Sequence, residues 1–307
     1  MSGHHHHHDH AGQGGDKRIA WAIFVNFLLT FAQIVGGVIS GSLSLIADAI
    51  HNFSDAASLV IAFGARKIAR RPADHRMTFG YARAEIVAAL INYTTLIVIG
   101  VYLVYEAIMR FFQPEPVNGW IIVIIAGIAL VIDLVTAMLT YAMSKDSMNI
   151  RAAFLHNVAD ALGSVGVIVA GTLILLYGWT WIDPAITLLI AGYILWQAFT
   201  EIGGSVRILM MGTPDGTDIE KIRQGVLAIP QVSDVHHVHV WALDEKRRAL
   251  EMHVVITELT LEGAAKIREN IRGFLSLDHG IAHSTIEFET PFDHCKASDV
   301  KIGHAER

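Results

Sequence analysis

Two short segments of the 307-residue sequence repeat one arrangement of donor atoms: His51-Asn52-Phe53-Ser54-Asp55-Ala56 and His156-Asn157-Val158-Ala159-Asp160-Ala161 share the pattern H-N-x-x-D-A. Residues four apart stack on one face of a helix, so each segment presents an imidazole beside a carboxylate. Both segments lie in long apolar runs, and only three histidines occur between residues 18 and 210. An ionised Asp in hydrocarbon costs about 2.5–3.5 kcal/mol on insertion scales, so something must neutralise Asp55 and Asp160. Two imidazoles and two carboxylates form a full tetrahedral set for Zn²⁺, and the carboxylates balance its charge. Four protein ligands leave no position for an activated water, which points to a site that binds and releases metal. The competing reading is that each pair is only a hydrogen bond that tightens helix packing. It fits one pair well and two matching pairs poorly.

Asp48 precedes His51 by three residues and shares its face, so it reads as a ligand, as a carboxylate orienting His51 or as a packing residue, with the orienting role the favoured one. Asp133 is the lone carboxylate of its apolar run. It reads either as a hydrogen bond within the bundle or as part of a proton or metal path.

The elements that must hold these residues are membrane helices. Hydrophobic residues make up 53% of the chain and charged residues 17%, against about 25% charged in soluble domains. Six runs reach the roughly 20 residues needed to cross a bilayer, at Ile19–Ser40, Leu43–Phe63, Ile86–Ile108, Trp120–Met143, Ala152–Tyr177 and Ile182–Ile202. Lys17, Arg18, Arg66, Lys67, Arg70, Arg71, Arg76, Arg83, Lys145 and Arg151 flank one side, whereas Arg110 alone flanks the other. Basic residues collect on the cytoplasmic side, which places both termini there. With a net charge of −6 and no Lys/Arg run of the kind that tracks nucleic acid, nucleic-acid binding is excluded. The single cysteine, Cys295, excludes a disulfide framework and a Cys-rich zinc module.

Four stretches follow: a His-rich tail over 1–18, a six-span transmembrane domain over 19–206, a soluble domain over 207–291 and a tail over 292–307. The soluble domain reads as helix, strand, strand, helix, strand. Asp218–Ile229 is helical with Thr217 as N-cap, Val232–Leu243 and Ala249–Thr257 alternate as strands, Leu261–Ser276 is helical and Thr285–Glu289 is a strand. That order gives a small α+β domain.

Further motifs carry a resemblance to a known family. Ser42-Leu43-Ser44-Leu45-Ile46-Ala47-Asp48-Ala49-Ile50-His51, Phe79-Gly80-Tyr81-Ala82-Arg83-Ala84-Glu85, Tyr105 to Phe111 and Val235-His236-His237-Val238-His239-Val240-Trp241 together resemble the cation diffusion facilitators. The resemblance covers nearly the whole chain. It implies a homodimeric metal/proton antiporter in the lipid bilayer of the cell (inner) membrane. Such a protein exports divalent cations, zinc first with cadmium and cobalt, and has a ferredoxin-like cytoplasmic domain. His51, Asp55, His156 and Asp160 match the family's transport site. His236, His253, His283 and Glu289 match positions that hold regulatory zinc, with His237 and His239 as extra candidates. Asp74 matches a further family ligand, but Met77 and Tyr81 replace the histidines beside it, so no strong site is expected there. His4–His8 with His10 read either as a cloning tag or as a native zinc-collecting arm, and with Asp9 they resemble the family's His-rich termini. Zinc is then substrate and regulatory ligand, with no further cofactor. A metal-dependent membrane enzyme would need an open coordination position or a general base, and no H-E-x-x-H occurs. A zinc sensor with a mere anchor would not need paired His and Asp inside its spans.

Overall fold

The computed structural model describes residues 27–141, 148–257 and 260–292, apart from a few side chains, that of His156 among them. The His-rich N-terminal tract, the connection 142–147 and the tail with His294 and Cys295 lie outside the described residues.

Backbone in hydrocarbon must satisfy its own amides and carbonyls, and the apolar part of the chain is accordingly helical. Its helices are α1 (Phe27–Ser40), α2 (Leu43–Ala69), α3 (Ala84–Phe112), α4 (Gly119–Tyr141), α5 (Met148–Tyr177) and α6 (Ile182–Leu209). They follow the six expected spans in order. Five are long and apolar enough to cross a membrane, and α1 is described only from Phe27. Helix α2 runs past its expected end at Phe63 through Arg66 and Lys67, because both are good helix formers whose long stems reach water.

The packing is that of a membrane bundle. Small residues such as Ala47, Ala126, Ala170 and Ala191 are buried between helices, while Phe31, Val98, Leu162 and Trp196 are all more than 60% exposed. Water would not tolerate so much apolar surface, and lipid favours it. Helices α4 and α5 approach closely at two glycines. A Cβ on Gly119 would lie 2.7 Å from the Gly171 carbonyl oxygen, and one on Gly171 would lie 2.9 Å from Ile122.

The corner between α1 and α2 is held from two sides. Asp183, in the first turn of α6, is fully buried. Its carboxylate accepts hydrogen bonds from the Ser42 hydroxyl (2.5 Å), the Ser44 hydroxyl (2.6 Å), the Leu43 amide (2.8 Å) and the Ser44 amide (3.3 Å). Helix N-termini have unsatisfied amides and a positive dipole end, so a carboxylate from another helix serves as the cap. On the other side, Arg110 of α3 donates to the Gly41 carbonyl and pairs with Glu115 at 3.0 Å. Gly41 has φ +72°, and a Cβ there would strike the Pro116 carbonyl at 2.8 Å.

By contacts the chain divides into two compact units, Met1–Ile61 with Ile91–Thr200 and Ala62–Leu90 with Glu201–Arg307. In the second unit, α7 (Ile219–Leu227), β1 (Val232–Ala242), β2 (Arg248–Ile256), α8 (Leu261–His279) and β3 (His283–Glu289) follow the expected order. The sheet order is β1-β2-β3, with β1 and β2 antiparallel and β2 and β3 parallel across the α8 crossover. This is the expected ferredoxin-like α+β domain, with no strand ahead of its first helix among the described residues. Ile222, Val226, Ile267, Ile271 and Leu275 of the two helices pack on Val238, Val240, Leu250, Met252 and Val254 of the sheet. The N-cap of α7 is Asp218, which accepts from the Lys221 amide at 3.1 Å, and not Thr217. Both residue types cap well, and the extended backbone needed at the cap falls on Asp218. Helix α8 is capped by Thr260 and closed by Gly280 at φ +65°.

Strand β1 departs from strict alternation. His236 pairs with His253 and His239 with Glu251, so β1 spends one residue more than β2 between these partners. This is a β-bulge, and His237 within it has φ +55°. The extra residue lets His236 and His239 share one face while Val235, Val238 and Val240 stay buried in the core.

Candidate metal centres

The first centre forms between α2 and α5. His51 and Asp55 stand one turn apart on α2, and Asp160 projects from α5. His51 Nε2 lies 3.3 Å from Asp160 Oδ1 and 3.8 Å from Asp55 Oδ2. Ligand atoms of the three residues all lie within 4.8 Å of one another, a spacing at which a single ion can take one atom from each. His51 and Asp160 are buried, and Asp55 is half-buried. His156 precedes Asp160 by one turn of α5, but its side chain lies outside the described residues.

The surroundings of this centre are polar and ordered. Asp48 Oδ2 accepts from Gln33 Nε2 of α1 at 2.6 Å, and Gln33 Oε1 accepts from Asn52 at 3.1 Å. A Cβ on Gly163 would lie 3.3 Å from Asp48 Oδ1. Asp133 of α4 accepts from the Ser164 hydroxyl of α5 at 3.1 Å. One turn of α5, residues 160–164, thus meets the metal centre, Asp48 and Asp133 in succession. The Tyr193 ring of α6 stands edge-on to His51, with centroids 6.0 Å apart. Sequence reasoning missed Gln33 and Tyr193. A glutamine buried in an apolar run is the one signal that pointed to the first.

The second centre lies on the sheet face opposite α7 and α8. Cross-strand pairing puts His236 opposite His253 and Glu287 beside His253. His253 Nδ1 is 2.7 Å from Glu289 Oε1, and His236 Nε2 is 3.3 Å from Glu289 Oε2. Asp234 lies 3.3 Å from His236 Nδ1, and Glu287 lies 3.4 Å from His253 Nε2. His236, His253 and Glu289 have ligand atoms within 4.8 Å of one another. His236 is fully buried, and its donors and acceptors are of the kind that borderline zinc takes. His237 stacks on His253 with ring centroids 4.8 Å apart, and His239 is 5.2 Å from His237.

His283 is not brought to this cluster. It pairs with Ala249 at the start of β3, and its ring meets Phe79 at 5.9 Å. Six residues of strand rise, about 20 Å, separate it from Glu289. At the third family position, Asp74 Oδ1 accepts from the Arg76 and Met77 amides and Oδ2 from the Tyr81 hydroxyl at 2.7 Å. The phenol bond, with the amides, holds the Asp74 carboxyl below its ordinary value.

Comparison with known proteins assigns the chain to a class. The model of the cation efflux transmembrane domain matches residues 19–210, and that of the cation efflux protein cytoplasmic domain matches residues 214–291. The chain belongs to the cation efflux, or cation diffusion facilitator, family, whose members are transporters. It is an integral membrane protein with several spans. Among relatives, a cadmium, cobalt and zinc/H(+)-K(+) antiporter of Bacillus velezensis is 37% identical over 295 residues, covering 94% of this chain and 92% of that one. The metal cation efflux system protein CzcD of Cupriavidus metallidurans is 35% identical over 288 residues, 94% of this chain and 90% of that one. The zinc transporter ZitB of Escherichia coli is 35% identical over 308 residues, 98% and 97% of the two chains. A solved metal-bound C-terminal domain of CzcD is 29% identical and covers 24% of this chain and 99% of its own, at TM-score 0.22.

Proposed function

We propose that the protein exports zinc, and with it cadmium and cobalt, from the cytoplasm in exchange for protons, with His51, Asp55, His156 and Asp160 as the transport site. The observation that carries this reading is the meeting of His51 and Asp55 from α2 with Asp160 from α5 in a buried, mixed nitrogen and oxygen donor set. The names of the relatives support the choice of metal and the antiport. Zinc needs neutral imidazole and ionised carboxylate, so metal and proton compete for the same side chains. Zinc entering from the cytoplasm displaces protons there, and protons arriving from the opposite side release it. Asp48 of α2 and Asp133 of α4, which meet the same turn of α5, provide polar stations beside the site. Tilting of helix pairs about the centre alternates its access.

The domain limits follow the same reading: residues 19–206 carry transport, and residues 207–291 form the cytoplasmic domain. Both termini face the cytoplasm, in the cell membrane. His236, His253 and Glu289 hold a regulatory zinc, and two copies of the chain join as a homodimer. Four protein ligands in the transport site argue against hydrolytic chemistry.

The test is zinc uptake into vesicles containing the purified protein, with and without an imposed pH gradient. Asp160→Asn keeps the shape and removes a metal-balancing charge, so uptake should fall at least a hundredfold, as loss of one charged ligand should cost several kcal/mol. Uptake within twofold of wild type in Asp160→Asn would overturn the site. Uptake indifferent to the gradient would overturn the exchange.

A further inference from the structure

We propose that the recess at the basic end of α2 binds the phosphate headgroup of an anionic phospholipid. The proposal rests on the reading above only in taking α2 as a membrane span. The recess has a volume of about 620 Å³ and is lined by Arg71, Lys246, Arg247, Arg248, Thr78 and His283, among others, with no Asp or Glu among its lining residues. Four cationic side chains thus converge on one recess in a chain with net charge −6.

Neighbouring recesses in the same compact unit share Lys246, Arg247 or Arg248 with it but add carboxylates to their lining. One of about 730 Å³ sets Arg66, Arg70, Lys246 and Arg247 against Glu85, Asp244 and Glu245. Another sets Arg207 and Arg248 against Asp215, Asp244 and Glu245. Cations in the first recess are less committed. Arg247 is held by Asp244 at 2.6 Å, and Arg248 donates weakly to the His279 carbonyl at 3.4 Å. Arg71 and Lys246 have no ion-pair partner among the described residues.

Guanidinium groups match phosphate oxygens in pairs, and ammonium groups add a mobile point charge. The source of the phosphate follows from position. Ala69, the last residue of α2, lines the recess, so it opens where a membrane span ends. Phe79 also lines it and is 59% exposed, with Met77 of the same loop 47% exposed. Apolar side chains beside a cationic recess suit a ligand with both a phosphate and acyl chains. A bound headgroup would join the loop after α2 to the β1–β2 turn through Arg71 and Arg248.

The experiment titrates the full-length protein in neutral detergent with short-chain phosphatidylglycerol, short-chain phosphatidylcholine and inorganic phosphate, by calorimetry. Phosphatidylglycerol should bind saturably at one per protomer. The double variant Arg71→Gln, Arg248→Gln should weaken it about tenfold or more, as each basic group near an anionic surface contributes about 1 kcal/mol. Arg66→Gln with Arg70→Gln, in the carboxylate-balanced recess, should change it less than threefold. Arg71→Lys with Arg248→Lys keeps the charge and should bind between wild type and the Gln variant, which separates lost charge from lost folding. Equal binding by wild type and the Gln variant, or equal binding of phosphatidylcholine, would overturn the proposal. Inorganic phosphate binding as tightly as phosphatidylglycerol would overturn the lipid assignment. None of these readouts depends on zinc movement, so a failed transport reading and a failed lipid site can be told apart.

Discussion

Replacing Asp183 by Ala would leave four donors at the start of α2 without their acceptor: two hydroxyls and two helix-terminal amides. A hydrogen bond to a charged group contributes about 1.5–3 kcal/mol in soluble proteins, whereas polar contacts in membrane proteins average nearer 0.6. Asp183 is fully buried, and the amides cannot turn inward to helical partners. Four bonds at about 1 kcal/mol each give a loss of roughly 3–5 kcal/mol, about half of it retained in Asp183→Asn, which keeps one carbonyl acceptor. The assay is thermal unfolding of the full-length protein in detergent, followed by loss of the monodisperse peak in chromatography. Asp183→Ala should melt roughly 5–15 °C below wild type, with Asp183→Asn between them. Asp74 makes a control. Its carboxylate accepts three hydrogen bonds, but its exposed setting lets water replace them, so Asp74→Ala should shift melting by no more than about 2 °C. If Asp183→Ala also melted within about 2 °C of wild type, burial would not be what gives the clamp its strength, and the reasoning would fail.

Gly171→Val should push α4 from α5, because even a Cβ at that position meets Ile122 at 2.9 Å; zinc uptake should drop at least tenfold while the protein still reaches the membrane, and unchanged uptake would show that the helices can part freely. In the second centre, His253→Ala removes the imidazole held by Glu289 at 2.7 Å. Full-length protein should then bind one zinc fewer per protomer by calorimetry, with vesicle transport altered rather than abolished. On α7, hydrogen bonds from Arg223 and Gln224 hold the exposed Glu220 carboxyl down to about 2. A carboxyl whose folded value is depressed adds stability above its unfolded value of 4.5, and loses that stability as pH falls through about 2. Glu220→Gln should therefore flatten the acid limb of stability between those two values, and an NMR titration with a midpoint near 4.5 for Glu220 would contradict the bond.

The transport centre was legible because helices impose a short, regular spacing. The repeated H-N-x-x-D-A pattern placed His51 beside Asp55, and the shared charge cost of Asp55 and Asp160 implied that the two segments meet. The clamp at Asp183 carried no such sign. An acid ahead of Pro184 at the start of an apolar run reads as wetted, and its partners lie about 140 residues away, beyond any local pattern. In the sheet domain, the valine spacing in Val235-His236-His237-Val238-His239-Val240 slips by one residue. That slip is the mark of the bulge, yet a strand read by strict alternation puts His236 and His239 on opposite faces. Matching His283 to the zinc position failed to account for strand length: a residue six positions from Glu289 shares its face but not its neighbourhood.

The dependence of α2 on Asp183 also bears on how the chain is made. Spans enter the membrane in the order of synthesis, so α1 and α2 have left the ribosome while residue 183 is still at the ribosome or in its exit path. During that interval the Leu43 and Ser44 amides have no protein acceptor from α6, and water must serve them at the membrane surface. The corner therefore closes only when the sixth span arrives. A nascent chain stopped short of Ile182 would already possess His51, Asp55, His156 and Asp160, yet the helix carrying the first two would be untethered at its start. Quality control that senses exposed polar backbone in membranes would then recognise such a fragment by its open corner, not by any missing ligand.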